Sequence, residues 1–117
     1  MKYFLLACCL LAFSFSQAQT GDLCVKFKPL RIVVLGSSTA AGTGPSTRDS
    51  AWVWRYRAYM QSINPANEVI NLAQGGYVTY RLMPDNHVPQ AGRPIPDTLK
   101  NITRALSLNP DAIIVNL

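Results

Sequence analysis

From Arg31 to Gly44 the sequence reads RIVVLGSSTAAGTG. The β-branched run at its start predicts a buried parallel strand, and Gly36 predicts a tight turn after that strand. The small residues that follow predict a loop. In an open parallel sheet the carboxyl ends of the strands line the ligand crevice, so the hydroxyl of Ser38 is expected to meet a substrate. The same glycine and serine residues also fit a plain turn without chemistry, and composition alone leaves both interpretations open.

The rest of the chain alternates helix and strand patterns. Apolar residues at helical spacing predict a helix from about Ser50 to Ser62, and residues 68–72 predict a second strand. A second helix is expected over residues 97–108, capped by Asp97, and a third strand is expected from Ala112. The apolar stripe expected on the second helix consists of Leu99, Ile102, Ala105 and Leu106. This order predicts the α/β class: a flavodoxin-like three-layer α/β/α fold with a parallel sheet, of which about three strands are present.

The first eighteen residues have the features of an export signal. Lys2 precedes an apolar run from Tyr3 to Phe15, and Ser16-Gln17-Ala18 fits a signal-peptidase site. A membrane anchor is the alternative, but a bilayer span needs about 20 apolar residues. We therefore expect cleavage after Ala18, no stable membrane span in the mature chain, and a secreted or periplasmic protein. Cys8 precedes most of the apolar run, which argues against lipidation.

Composition excludes several classes of protein. About half of the residues are hydrophobic and 15% are charged, which is typical of a globular chain. Cys24 would be the only cysteine left after cleavage, so no internal disulfide is expected. The net charge of +5 is spread along the chain without a dense basic stripe, which argues against a nucleic-acid partner.

The glycine spacing excludes two kinds of nucleotide-binding loop. A phosphate-binding P-loop requires Lys and then Ser or Thr after its last glycine, whereas Gly44 is followed by Pro45. A dinucleotide loop requires Gly-x-Gly-x-x-Gly, and the glycines here have other intervals. The lipase-type Gly-x-Ser-x-Gly elbow is also absent, because Ala40 stands two places after Ser38. No residue pattern predicts a metal ion or an organic cofactor.

The segment from Gly36 to Gly42, GSSTAAG, resembles the first signature block of the SGNH/GDSL hydrolases, usually written Gly-Asp-Ser-Leu-x-x-Gly. The resemblance implies that Ser38 is the nucleophile of a serine esterase. Ser37 replaces the usual Asp and Thr39 replaces the usual Leu. Because that Asp is not the acid of the triad, its replacement bears on local geometry more than on activity.

The segment from Asn71 to Gly76, NLAQGG, is similar to the second block of the same family. There the final glycine donates its backbone N–H to the oxyanion hole. The resemblance implies that Gly76 and the backbone of Ser38 form this hole, with Gly75 as the neighbouring alternative.

The chain is expected to hold the N-terminal part of such a hydrolase domain, over residues 19–117. PDAIIV at residues 110–115 resembles the third strand of the family. The later Gly-x-Asn-Asp block and the Asp-x-x-His pair are not found, and Asn116 lies inside the predicted strand, so it is not assigned the oxyanion role. Because one lost oxyanion donor costs about 10²–10³ in rate, the chain alone is expected to be nearly inactive.

His87 is the only histidine and lies in a proline-rich segment expected to be a surface loop. Pro84 stands where the family pattern has Asp, three residues before the histidine, so the pattern does not make His87 the catalytic base. Asp85 and Asp97 are likewise interpreted as a loop residue and a helix cap.

Export and the resemblance together imply an ester substrate met outside the cytoplasm, such as a small-molecule ester, an acetylated polysaccharide or a lipid. Trp52, Trp54 and Tyr56 could stack on sugars, although aromatic residues at helical spacing usually pack in the core. A noncatalytic secreted binding module, or a remnant on the same fold, is the alternative function.

Overall fold

The computed structural model describes residues 28–117. The expected leader and Cys24 lie outside the described residues. Three strands form a parallel sheet: β1 (Arg31–Gly36), β2 (Glu68–Asn71) and β3 (Ala112–Asn116). Their order in the sheet is β2-β1-β3. The expected α/β fold is thus confirmed, and the order is that of the first three strands of a flavodoxin-like sheet.

Helices cover both faces of the sheet. The helices are α1 (Ser38–Ala41), α2 (Trp52–Ile63), α3 (Thr79–Leu82) and α4 (Ile102–Ser107), and a 3-10 turn spans Arg48–Ser50. None of the helices within residues 28–117 has the length and apolar character that a bilayer-spanning segment requires.

The central strand β1 supplies both cores. Ile32 and Val34 pack with residues of α1 and α2 on one face, and Val33 and Leu35 pack with residues of α3 and α4 on the other. These four side chains are at most 3% exposed. Successive side chains of a strand point to opposite faces, so an unbroken apolar run is the pattern that a strand between two helical layers requires.

Three local expectations were wrong. The small residues after β1 form the single helical turn α1 rather than a loop. The second long helix begins at Ile102, capped by Asn101, and not at Asp97. Two residues of the expected apolar stripe are exposed: Leu99, which precedes the helix, is 72% exposed, and Leu106 is 57% exposed. The side chain of Asp97 instead accepts a hydrogen bond from the N–H of Leu99, which makes it part of a turn.

Candidate active site

Ser38 is the first residue of α1, immediately beyond the carboxyl end of β1. The turn that places it there depends on Gly36, since a Cβ on this residue would lie 2.0 Å from the carbonyl oxygen of Asn116. The same carbonyl accepts a hydrogen bond of 2.9 Å from the N–H of Ser37. The ends of β1 and β3 therefore approach closely, and this approach orients the start of α1.

Backbone and side-chain hydrogen bonds hold α1 in place. The carbonyl of Ser38 accepts the N–H of Thr43 at 2.9 Å, and Gly42 ends the helix in the left-handed conformation with φ +99°. Asn71, the last residue of β2, donates its side-chain amide to the carbonyl of Ala40 at 2.8 Å. The helical turn that carries Ser38 is thus tied to the end of the neighbouring strand.

The hydroxyl of Ser38 has no hydrogen-bond partner among residues 28–117, and its residue is half-buried. His87 is also half-buried, and its Nε2 is buried without a hydrogen-bond partner in the described part of the chain. Asp85 accepts a hydrogen bond from the side chain of Asn101, and Asp97 accepts one from Tyr77. None of the three is hydrogen-bonded to Ser38, so the described residues place a serine hydroxyl without a base to activate it.

Beyond β2 lies a tight turn formed by Gln74, Gly75, Gly76 and Tyr77. The N–H of Tyr77 donates to the carbonyl of Gln74 at 3.2 Å, and Gly76 has φ +80°. A positive φ at the third position is that of a type II turn, which requires glycine there. Within residues 28–117 the N–H groups of Gly75 and Gly76 find no acceptor, and the space around both glycines is open. This turn can therefore donate to a ligand.

The candidate nucleophile and the glycine turn are both linked to the end of β1. The carbonyl of Gly36 accepts the N–H of Gln74 at 3.1 Å, and Ser38 follows two residues later. Ser38 begins α1, so its own N–H has no acceptor within the helix. The backbone of Ser38 and the turn at Gly76 are thus anchored to one strand end, and both present free N–H donors.

A polar cluster that the sequence analysis missed lies beside the glycine turn. The hydroxyl of Tyr77 donates to the carboxylate of Asp97, and the ammonium of Lys100 donates to the side-chain carbonyl of Gln74. Burial, followed by the hydrogen bond to Asp97, raises the pKa of Tyr77 to about 12. The hydrogen bonds from Tyr77 and from the N–H of Leu99 lower the pKa of Asp97. No periodicity or motif in the sequence connects these four residues.

The three aromatic residues near the start of α2 lie against the core, as the packing interpretation predicted. Trp52, Trp54 and Tyr56 are half-buried and contact the cluster around Val34. Two guanidinium groups lie over the ring of Trp54: that of Arg48 is 3.8 Å from the ring centroid and that of Arg57 is 4.4 Å from it. The indole of Trp54 therefore makes cation–π contacts with two arginines of the same chain.

Among residues 28–117, no three His, Cys, Asp or Glu side chains gather in a way that could hold a metal ion. Comparison with known proteins finds no match to this chain among family models, curated proteins or solved structures.

Proposed function

We propose that this chain carries the nucleophile and an oxyanion-binding turn of a secreted serine esterase of the SGNH/GDSL type. One observation carries the proposal. The hydroxyl of Ser38 is unpartnered and lies two residues beyond Gly36, at the carboxyl end of β1. The glycine turn, with its unpaired N–H groups, is held at the same strand end by the hydrogen bond between Gln74 and Gly36. Acyl transfer needs these two features side by side.

In the proposed reaction the Oγ of Ser38 attacks the carbonyl carbon of the ester. A general base takes the hydroxyl proton, and the carbonyl oxygen becomes an oxyanion that accepts hydrogen bonds from the N–H groups of Ser38 and Gly76. When the C–O bond of the ester breaks, the leaving alkoxide receives the proton and the acyl group remains on Ser38. Water then hydrolyses this acyl ester and restores the hydroxyl.

We assign neither the general base nor its orienting acid to any of residues 28–117. His87 is held by a backbone hydrogen bond from its own N–H to Pro84, and its side chain has no carboxylate partner in the described chain. The predicted export signal and the resemblance together favour an ester met outside the cytoplasm, such as an acetyl group on a polysaccharide or an acyl chain on a lipid.

A noncatalytic binding module on the same fold is the second candidate. The observation that favours it is the hydroxyl of Ser38, which touches no general base within residues 28–117. In that case the glycine turn would bind an anionic or carbonyl group without reaction.

The test is hydrolysis of p-nitrophenyl acetate by the product of the complete reading frame that encodes this chain. Replacement Ser38→Ala is expected to lower kcat by about 10⁴-fold or more, since removal of a serine nucleophile leaves only the oxyanion contribution. A Ser38→Ala protein that hydrolyses the ester at the wild-type rate would contradict the proposal and favour the binding module.

Two control variants accompany this test. Ser37→Ala changes the adjacent hydroxyl, which makes no capping hydrogen bond, and retains the backbone N–H that Asn116 accepts. It is expected to retain kcat within a few-fold. His87→Gln asks whether the one histidine of the chain is the base, and it too is expected to remain active.

A further inference from the structure

We propose that the segment from Asp97 to Lys100 is a latch that positions the Gly75–Gly76 turn for oxyanion binding, with Tyr77 and Asp97 as its principal positioning residues. This inference rests on the proposed esterase function. The latch makes two contacts with the turn. The hydroxyl of Tyr77 donates to the carboxylate of Asp97, and the ammonium of Lys100 donates to the side-chain carbonyl of Gln74.

The glycine turn has little packing of its own. Gly75 and Gly76 are exposed, and a Cβ built on either would meet no atom within 4 Å. Glycine also has the largest conformational freedom of any residue. The direction of the two N–H groups therefore depends on the residues at the two ends of the turn, Gln74 and Tyr77.

Each end of the turn contacts the latch once. Gln74 is bound by Lys100, and its N–H is also bound to the end of β1. Tyr77 packs its ring against the core that contains Leu35, so only its hydroxyl is available to Asp97. The two contacts act on opposite sides of the glycines and limit rotation of the peptide between them.

Three hydrogen bonds hold Asp97 within its own part of the chain, and a fourth joins it to Tyr77. Its N–H donates to the carbonyl of Arg81 at 3.0 Å, and its carbonyl accepts the N–H of Lys100 at 3.0 Å. One carboxylate oxygen accepts the N–H of Leu99 at 2.9 Å, while the other accepts the hydroxyl of Tyr77. Asp97 thus joins the fold of its own segment to the position of Tyr77.

The physical reason for a functional role is the steep dependence of catalysis on placement. A misplacement of about 1 Å in a catalytic group costs about 10²-fold in rate, whereas one hydrogen bond contributes only about 1 kcal/mol to folding. Loss of the latch should therefore affect transition-state stabilisation much more than it affects the fold or ground-state binding.

The experiment uses the Tyr77→Phe, Asp97→Asn and double variants of the complete gene product. Each single variant is expected to lower kcat for p-nitrophenyl acetate by about 10- to 100-fold with KM within about two-fold of wild type. The double variant should be no slower than the slower single variant, because both changes act on the same contact: Tyr77→Phe removes its donor, and Asp97→Asn replaces its charged acceptor. Tyr80→Phe is the matched control, since the Tyr80 hydroxyl makes no hydrogen bond with the described residues.

A second measurement does not depend on activity. The ¹⁵N order parameter of Gly76 is expected to fall from the rigid value of about 0.85 toward about 0.6 in Tyr77→Phe and to stay unchanged in Tyr80→Phe. An unchanged order parameter, or a lower one with an unchanged kcat, would overturn the inference. If instead Ser38→Ala remains fully active, the esterase proposal fails and the positioning role fails with it, while the order parameter still reports whether Asp97 restrains the turn.

Discussion

Gly36 is the residue on which the geometry of the candidate site depends most directly. Its missing side chain lets the end of β1 approach the carbonyl of Asn116, which in turn accepts the N–H of Ser37. Gly76 has a different requirement: the space around it is open, and its φ of +80° is what favours glycine. The first glycine is needed for space and the second for backbone conformation.

Gly36→Ala should therefore be strongly destabilising. Its Cβ would lie 2.0 Å from one backbone atom and 2.9 Å from the Cβ of Ala40, and neither position can move without shifting β3 or α1. We expect a loss of about 3 kcal/mol or more in the free energy of unfolding, measured by urea denaturation.

Gly75→Ala is the matched control for that measurement. This glycine has open space around it and no positive φ, so its replacement should change stability by about 0.5 kcal/mol or less. Equal stability of Gly36→Ala and the wild type would show that the two strand ends do not approach as described.

At the scale of elements, α4 illustrates how a helix boundary is decided. Asn101 is fully buried; its side-chain oxygen accepts the N–H of Arg104, and its amide donates to Asp85 at 2.5 Å. The helix begins at the position where Asn101 can accept a hydrogen bond from a helix N–H and donate one to a distant carboxylate. Aspartate is a common helix-capping residue, but the carboxylate of Asp97 accepts hydrogen bonds from the N–H of Leu99 and the hydroxyl of Tyr77 instead.

Replacement Asn101→Ala removes both of these hydrogen bonds and leaves the N–H of Arg104 without its cap. We expect a loss of about 1–3 kcal/mol in the free energy of unfolding, again from urea denaturation. Asn101→Ser should lose less, because serine can cap the helix but has no amide to donate.

The control for the cap is Asn86→Ala. Asn86 is exposed and makes no hydrogen bond with the described residues, so a change of at most about 0.5 kcal/mol is expected. If Asn101→Ala and Asn86→Ala are equally stable, the cap does not determine where α4 begins.

At the scale of the whole molecule, two aspartates join distant parts of the chain and link its stability to pH. Asp97 connects to Tyr77, and Asp111 accepts the N–H of Arg31 at 2.8 Å and contacts Lys28. The backbone hydrogen bond from Arg31, followed by the bond from Lys28, lowers the pKa of Asp111 below 3.8, and the pKa of Asp97 is lowered below the same value by Tyr77 and Leu99.

Both shifts predict acid destabilisation. A carboxyl group with a lowered pKa in the folded state stabilises the fold fully above its unfolded pKa of 3.8, and this contribution is lost as the pH falls through the folded pKa. The thermal midpoint should thus change little between about pH 7 and pH 5 on account of these groups and fall below about pH 4. The midpoint difference between wild type and Asp97→Asn should shrink over the same acidic range.

Asp49→Asn is the control for this pH series. Asp49 is exposed and makes no ion pair or hydrogen bond through its side chain with the described residues. Its replacement should leave the pH dependence of the midpoint unchanged. If the difference in thermal midpoint between wild type and Asp97→Asn stays constant down to about pH 2.5, Asp97 contributes nothing to the pH dependence of stability.

The sequence by itself determined the α/β class, the three strands and the positions of Ser38 and the glycine pair after β1 and β2. These features follow from local patterns: β-branched runs predict buried strands, and small residues after them predict sharp turns. Such preferences act between near neighbours, and they remain visible without knowledge of the fold.

Only the tertiary structure decided the rest of the site. Asn71 meets Ala40 across 31 residues, Tyr77 meets Asp97 across 20, and Asn101 meets Asp85 across 16. Each pair forms because strand order and helix packing bring its two members together, and the residue types alone permit many other partners. That is why a helix cap was expected at Asp97 and why the latch beside the glycine turn has no signature in the sequence.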